Sequence, residues 1–191
     1  MHFQKTAIPE VVLIQPDVPS DSRGHFREVF HAQKFLQEGI DLAGAGGPSF
    51  VQLNHSRSIK GTLRGLHYQE PHGQGKLVWV ISGTVLDVAV DIREGSPTFG
   101  QWSKAELSDQ NNQAMWIPVG FAHDFLVLSD AADVMYACTD VYSPDCERSV
   151  RWDDPQVGIP WGAHEPLLSD KDANAPLLTE VSPLPAYQGR S

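Results

Sequence analysis

A cluster of basic side chains stands out in an otherwise acidic chain. Residues 57–76 read RSIKGTLRGLHYQEPHGQGK and contain four Lys or Arg residues and one acid, Glu70, a net charge of +3. The whole chain of 191 residues has a formal net charge of −10. A local positive region on an acidic protein suits a small anion such as a phosphate. The charges alone leave open a second interpretation, a solvated edge strand that uses them to prevent aggregation.

His67 lies inside this basic segment and is the first candidate for a general base. A histidine base needs a partner that fixes its tautomer and stabilises its charged form. Four carboxylates are candidates for that partner: Asp87 and Asp91 on a predicted strand, and Asp170 and Asp172 near the C terminus. Their spacing does not choose among them.

Two further candidates depend on which way their side chains point. Strict strand alternation places Arg64 and His67 on opposite faces, so a shared site requires a bulge or a bend, for which Gly65 is the candidate. Tyr136 is either a core tyrosine with a satisfied hydroxyl or a proton donor that faces the interior of a barrel.

The eight histidines also call for a test of metal binding. In small β-barrels that bind metals, two His usually stand one residue apart, with a Glu soon after. Here Gln69 stands two residues after His67, the next histidine is His72, and His123 stands alone. No pair has ligand spacing. We therefore expect no metal, and this disfavours a metal-dependent barrel enzyme.

The elements that must hold these residues are predicted to be short strands. Residues 84–93 (TVLDVAVDIR) alternate with a period of two, which predicts a strand with one core face and with Asp87 and Asp91 on the polar face. Further strands are predicted at 76–82, 101–107, 113–118, 121–128 and 133–142, a helix at 31–40 and a loop at 41–49. The pattern favours an all-β sandwich or barrel, one domain over 1–191 with its core at about 50–143 and an irregular segment at 144–191 packed on it.

Composition excludes several classes of protein. Hydrophobic residues make up 41% and charged residues 20% of the chain, which excludes global disorder. An acidic chain lacks the basic footprint of a nucleic-acid-binding protein. No apolar run approaches the length of a membrane span, and the only cysteines, Cys138 and Cys146, form no disulfide framework. We expect a cytoplasmic protein with no nucleic-acid or membrane partner.

Eight motifs occur together along the chain: DSRGHFRE at 21–28, QLNHS at 52–56, LRGLHYQ at 63–69, QGKLV at 74–78, DVAVDIR at 87–93, SPTFG at 96–100, IPVGFAH at 117–123 and LSDKD at 168–172. Over about residues 5–180 they resemble the dTDP-4-dehydrorhamnose 3,5-epimerases. The resemblance implies a cupin-type jelly roll with a few short peripheral helices. It also implies an isomerase without metal or cofactor, which inverts C3 and C5 of dTDP-4-dehydro-6-deoxy-D-glucose to give dTDP-4-dehydro-L-rhamnose.

The resemblance further implies a role for individual residues. His67 would be the base, with Asp172 as its partner; Lys76 would stabilise the enolate at the ketone oxygen, and Tyr136 would return a proton from the opposite face. The remaining residues would bind substrate: Arg64 and Lys171 the diphosphate, His123 the sugar, Glu147 another part of the substrate, Gln52 and Asn54 the nucleotide, and Arg23, Phe26 and Glu28 the nucleotide of the neighbouring subunit. A homodimer with a shared nucleotide site is therefore expected.

Two positions depart from the family pattern. Asp124 stands where the family usually has Gly, and Val141 stands where it commonly has the first of two tyrosines. Both changes bear on the number of inversions. The alternative is therefore an epimerase that inverts only C3 of a related dTDP-4-keto sugar. A catalytically silent cupin that senses a nucleotide sugar is a rival of another class. Binding alone would not need the set His67, Asp172, Lys76 and Tyr136.

Overall fold

The computed structural model describes residues 1–40, 42 and 50–189. These residues form short strands, two short α-helices and two 3₁₀ turns. The strands are β1 His2–Lys5, β2 Val12–Gln15, β3 Ser20–Asp21, β4 Gly24–His25, β5 Gln52–Ile59, β6 His67–Gln69, β7 Lys76–Ser82, β8 Thr84–Asp91, β9 Trp102–Ser108, β10 Ala114–Ile117, β11 Phe121–Val127, β12 Ala131–Cys138 and β13 Glu147–Ser149. The helices are α1 Ala32–Gln37 and α2 Asp170–Ala173, and the 3₁₀ turns are Pro144–Cys146 and Leu178–Glu180.

Two antiparallel sheets face each other and enclose the main core. One sheet has the order β1-β2-β10-β7-β12-β5 and the other the order β13-β6-β11-β8-β9, while β3 and β4 form a separate ribbon. Apolar side chains from both sheets meet between them, among them Val78, Val85, Met115, Phe125 and Val134. Removal of this apolar surface from water is the main stabilising term for such a sandwich. The predicted all-β class is confirmed.

The predicted strands are found close to their predicted positions. β7 has the predicted bounds, and the chain turns at Gly83, where φ is +85° and an added Cβ would lie 2.2 Å from the Ala131 carbonyl oxygen. Only glycine fits such a turn. The predicted helix at 31–40 is shorter, Ala32–Gln37, and buries Phe35. The predicted loop at 41–49 lies outside the described residues, apart from Leu42.

The prediction that β8 has one core face is wrong, because both of its faces are buried. Val85 and Ala89 point between the two sheets, whereas Val88 and Val90 point outward into a second apolar cluster. Asp87 is also fully buried, on the interior face. Alternation in the sequence showed the two faces of the strand, but it did not show that a later segment covers the outer one.

That covering segment is the C-terminal part of the chain. Val157, Trp161 and Leu178 pack on the outer face of the β6-β11-β8 sheet. The backbone is fixed as well, because the amide of Leu63 donates to the carbonyl of Leu167 at 3.0 Å. This packing carries α2 to the open end of the sandwich. No helix in the described ranges is long and apolar enough to cross a membrane.

Candidate active site

A cavity of about 530 Å³ opens between the sheets, at the end where α2 lies. Its wall contains eight of the predicted site residues: Arg64, His67, Lys76, His123, Tyr136, Glu147, Lys171 and Asp172. These side chains come from five strands, a loop and a helix. The fold therefore gathers residues that are more than 100 positions apart in the chain into one polar pocket.

His67 and Asp172 form a hydrogen-bonded pair in this pocket. Nε2 of His67 lies 2.7 Å from Oδ1 of Asp172, and the Asp172 side chain is 6% exposed. Ser169 fixes the carboxylate in turn: its hydroxyl donates to Oδ2 of Asp172 at 2.7 Å, and its oxygen caps α2 by accepting from the Asp172 amide. The imidazole is thus held by one nitrogen, which leaves Nδ1 free.

The electrostatics of this pair favour a charged imidazole. Burial opposes the positive charge, but the hydrogen bond to Asp172 and the nearby Asp124 carboxylate outweigh it and raise the pKa of His67 above its usual value. Burial also disfavours the Asp172 carboxylate, but hydrogen bonds from His67 and Ser169 outweigh it and lower the pKa of Asp172. The two shifts agree, since each group stabilises the charged form of the other.

Gly65 provides the predicted bend between Arg64 and His67. Its φ is +100°, and an added Cβ would lie 2.6 Å from both Nδ1 of His67 and Oδ2 of Asp124. The left-handed backbone breaks the strand alternation, so that Arg64 and His67 both line the cavity. The prediction of a bend at Gly65 is confirmed.

Tyr136 and Lys76 occupy the wall opposite His67. Tyr136 lies on β12 and Lys76 on the neighbouring β7, both in the six-stranded sheet, whereas His67 lies on β6 in the five-stranded sheet. Burial raises the pKa of Tyr136, so the phenol keeps its proton at neutral pH. Burial lowers the pKa of Lys76, while Cys138 and the carboxylates of Asp124, Asp87 and Glu147 act in the opposite sense.

His123 is neutral and fixed by a carboxylate of its own. It pairs in register with His67 across β11 and β6. Its Nε2 lies 3.1 and 3.0 Å from the two oxygens of Asp87. Burial lowers the pKa of His123 despite that carboxylate. Among the four carboxylates considered as partners of His67, Asp172 forms the hydrogen bond. Asp87 bonds to His123 instead, and Asp91 bonds to Arg93.

The two cations predicted to bind the diphosphate, Arg64 and Lys171, lie at the mouth of the cavity. Arg64 is exposed, and its Nε donates to the Ser58 hydroxyl at 2.9 Å. Lys171 pairs with Glu147 through Nζ and Oε2 at 2.5 Å. Tyr142 also donates to that carboxylate, at 2.9 Å. These contacts outweigh burial and lower the pKa of Glu147.

The remaining predicted binding residues lie outside the cavity wall. Gln52 and Asn54 share the face of β5 that carries the cavity residue Ser56, and Gln52 donates to Asn54 at 2.9 Å. Two of the others, Arg23 and Phe26, lie on the protein surface. Arg23 is bound to Asp21, and Phe26 is 71% exposed.

Glu28, the last of this group, pairs with Lys34 through Oε1 at 2.7 Å. Val141, expected to alter the sugar-binding wall, does not line the cavity, whereas Asp124 does. The sequence also offered a signal for Ser169, which had no predicted role. Ser169 stands three residues before Asp172, the spacing of a helix N-cap.

The comparisons with known proteins identify the family of this chain. A curated dTDP-4-dehydrorhamnose 3,5-epimerase of Neisseria gonorrhoeae is 54% identical over 173 residues, which is 90% of this chain; the chain spans about half of that protein, 51% of its length. Four further relatives with the same description are 44–50% identical and are covered over 91–100% of their length. A Streptomyces relative described as a dTDP-4-dehydro-6-deoxyglucose 3-epimerase is 42% identical and is covered over 89% of its length, with 91% of this chain matched.

Among solved structures, the dTDP-6-deoxy-D-glucose-3,5-epimerase of Legionella pneumophila, in complex with dTDP-4-keto-L-rhamnose, is 49% identical with a TM-score of 0.91. The match covers 98% of this chain and 99% of that one. The facing sheets and this likeness define a cupin-type jelly-roll enzyme, as predicted. The protein-family model described as dTDP-4-dehydrorhamnose 3,5-epimerase matches residues 5–180 of this chain. The chain belongs to this family and is an isomerase.

Proposed function

We infer that this enzyme inverts C3 and C5 of dTDP-4-dehydro-6-deoxy-D-glucose and so makes dTDP-4-dehydro-L-rhamnose. The observation that carries this inference is the placement of His67 with Asp172 on one wall of the cavity and of Tyr136 on the other. Inversion of a carbon next to a ketone requires removal of a proton from one face and return of a proton to the opposite face. Two facing sheets supply those two positions.

His67 is the proposed base. Asp172 holds Nε2, so Nδ1 takes the substrate proton, and the electron pair of the broken C–H bond moves into the enolate. Lys76, on the opposite sheet, stabilises the negative charge that develops on the ketone oxygen. Tyr136 then gives its phenolic proton to the other face of the same carbon. The proposed chemistry uses side chains alone, with no metal or cofactor.

The mouth of the cavity is proposed to bind the diphosphate. Arg64 points a partly free guanidinium there, and Lys171 is available when it leaves Glu147. His123, neutral and fixed by Asp87, is proposed to contact the sugar, and Glu147 another part of the substrate.

The nucleotide is proposed to be bound by two copies of the chain. Gln52 and Asn54 continue the cavity face along β5. Arg23, Phe26 and Glu28 lie outside the cavity, which is consistent with service to the neighbouring subunit of a homodimer. The exposed ring of Phe26 offers a face on which thymine can stack.

Two coarser features complete the proposal. We propose that residues 1–191 fold as one domain, because the C-terminal segment shares an apolar cluster with β8 and β11. We also propose a cytoplasmic location. Cys138 and Cys146 are both free thiols, as is usual for a reducing compartment.

The proposal is tested by incubating the protein with dTDP-4-dehydro-6-deoxy-D-glucose in deuterated water. Deuterium at both C3 and C5, with the product trapped by a 4-keto reductase as the L-rhamnose form, is the expected result. Deuterium confined to C3 after many turnovers supports the alternative, a C3-only epimerase, for which Asp124 in the cavity wall is the specific observation. No incorporation contradicts both. A binding-only sensor would give that last result.

A further inference from the structure

Asp124 is a buried carboxylate that the mechanism above does not use. Its side chain is 2% exposed and lies beside the catalytic pair. Oδ1 accepts from the backbone amide of Phe125, but Oδ2 has no hydrogen-bond partner among the described residues. A buried carboxylate oxygen without a partner is costly and requires an explanation.

The free oxygen of Asp124 approaches the free nitrogen of His67. Oδ2 lies 3.9 Å from Nδ1, the ring nitrogen that Asp172 does not hold. Gly65 makes this approach possible, because a Cβ there would lie 2.6 Å from both atoms.

We propose that Asp124 is a positioning residue, a second carboxylate partner that stabilises the His67 imidazolium formed when Nδ1 takes the substrate proton. This inference rests on the proposed function. In the step itself, the C–H bond breaks, its electron pair enters the enolate, and a new N–H bond forms at Nδ1. At a pH above its own pKa, Asp124 is ionised throughout this step and exchanges no proton; it gains an ion pair with the imidazolium.

Charged or titratable groups on the neighbouring elements face this carboxylate and His67. They are Asp172 and Lys171 from α2 and its flank, Lys76 from β7, Asp87 from β8, His123 from β11, Tyr136 from β12, Glu147 from β13 and Arg64 from the preceding loop. Burial raises the pKa of Asp124 to about 7, while His67 and Lys76 act in the opposite sense. Above that pH the Asp124 carboxylate is ionised and can pair with the His67 imidazolium.

Replacement of Asp124 by Asn keeps the shape and removes the charge. An opposite charge about 4–6 Å away shifts a pKa by about one unit or more, so the pKa of His67 falls by about one unit in Asp124→Asn. The acid limb of turnover then moves to lower pH by about the same amount. Above that limb, turnover falls by up to about tenfold, because the base is weaker.

The test is a histidine NMR titration without substrate, with the His67 signal assigned by its loss in His67→Gln. Asp133→Asn is the matched control: Asp133 pairs with His55 and Arg57 on the edge strand, away from the cavity. A lower His67 pKa in Asp124→Asn, with no change in Asp133→Asn, supports the proposal. An unchanged His67 titration in Asp124→Asn overturns it.

The pH profile of turnover is the second measurement, and its acid limb is expected at lower pH in Asp124→Asn than in the wild type. If Asp124→Asn fails to fold, as judged by its melting transition, Asp124→Gly is titrated in its place. Absence of epimerisation by the wild-type protein would refute the proposed function, whereas the substrate-free titration still decides whether Asp124 and His67 are coupled. The two failures are therefore distinguishable.

Discussion

Replacement of Asp172 by Asn probes the acid–base pair most directly. The substitution keeps the size of the side chain and its position on α2, where Ser169 caps the helix. It removes the negative charge 2.7 Å from Nε2 of His67. The neutral amide stabilises the imidazolium far less, and it holds the ring less firmly in the orientation that leaves Nδ1 for the substrate.

The size of the effect follows from the hydrogen bond that is lost. A hydrogen bond to a charged group contributes about 1.5–3 kcal/mol. Because one pKa unit corresponds to about 1.36 kcal/mol, the pKa of His67 falls by about one to two units. The neutral imidazole is the active form, so activity in the wild type rises as the pH passes upward through the raised pKa of His67. In Asp172→Asn that limb moves to lower pH. Turnover above it falls by up to about 10²-fold because the base is weaker, and it falls further because the ring is held less firmly.

The assay couples the epimerase to a 4-keto reductase and follows NADPH consumption across pH. Asp170→Asn is the matched control, since Asp170 lies on the same helical turn, is exposed and does not line the cavity. Asp170→Asn keeps wild-type turnover and the wild-type acid limb. If Asp172→Asn kept more than about half of wild-type turnover with an unmoved limb, the base assignment to His67 would be refuted, given the usual size of general-base effects.

Four other substitutions separate the remaining roles. Tyr136→Phe removes only the acid, so it still exchanges substrate protons with deuterated water but loses net inversion; unchanged product formation would assign the donor role elsewhere. Arg64→Ala raises the substrate dissociation constant measured by calorimetry, because a residue that binds the diphosphate acts in the ground and transition states alike. Lys76→Met, in contrast, lowers turnover more than it weakens binding. Equal binding by Arg64→Ala and the wild type would contradict the proposed role of Arg64. Gly65→Ala strains a left-handed backbone and drives a methyl group against Nδ1 of His67, so activity is lost and the melting temperature falls; normal kinetics in that variant would show that the bend is not required.

Local sequence determined the strands of this protein. β7 was predictable from an apolar run that stops at Gly83, and β8 from its period of two. Both signals arise from short-range sterics: alternating side chains fit a pleated backbone, and only glycine adopts a sharp turn at no steric cost. Likewise, the absence of long helical patterns from the sequence correctly predicted an all-β chain. The resemblance carried by the motifs then gave the family and the set of candidate site residues.

Tertiary structure decided which of those residues meet. Asp172 reaches His67 because the C-terminal segment packs on the outer face of β8, a contact that no local pattern encodes. The same packing makes both faces of β8 buried, while Asp87, on the interior face, meets His123 across the pairing of β8 with β11. Alternation along β11 places Asp124 on the outward face of the strand. The bend at Gly65 nevertheless brings Nδ1 of His67 close to its carboxylate. Partners so distant in sequence are chosen by the burial of apolar surface across the whole fold, which depends on all the elements at once.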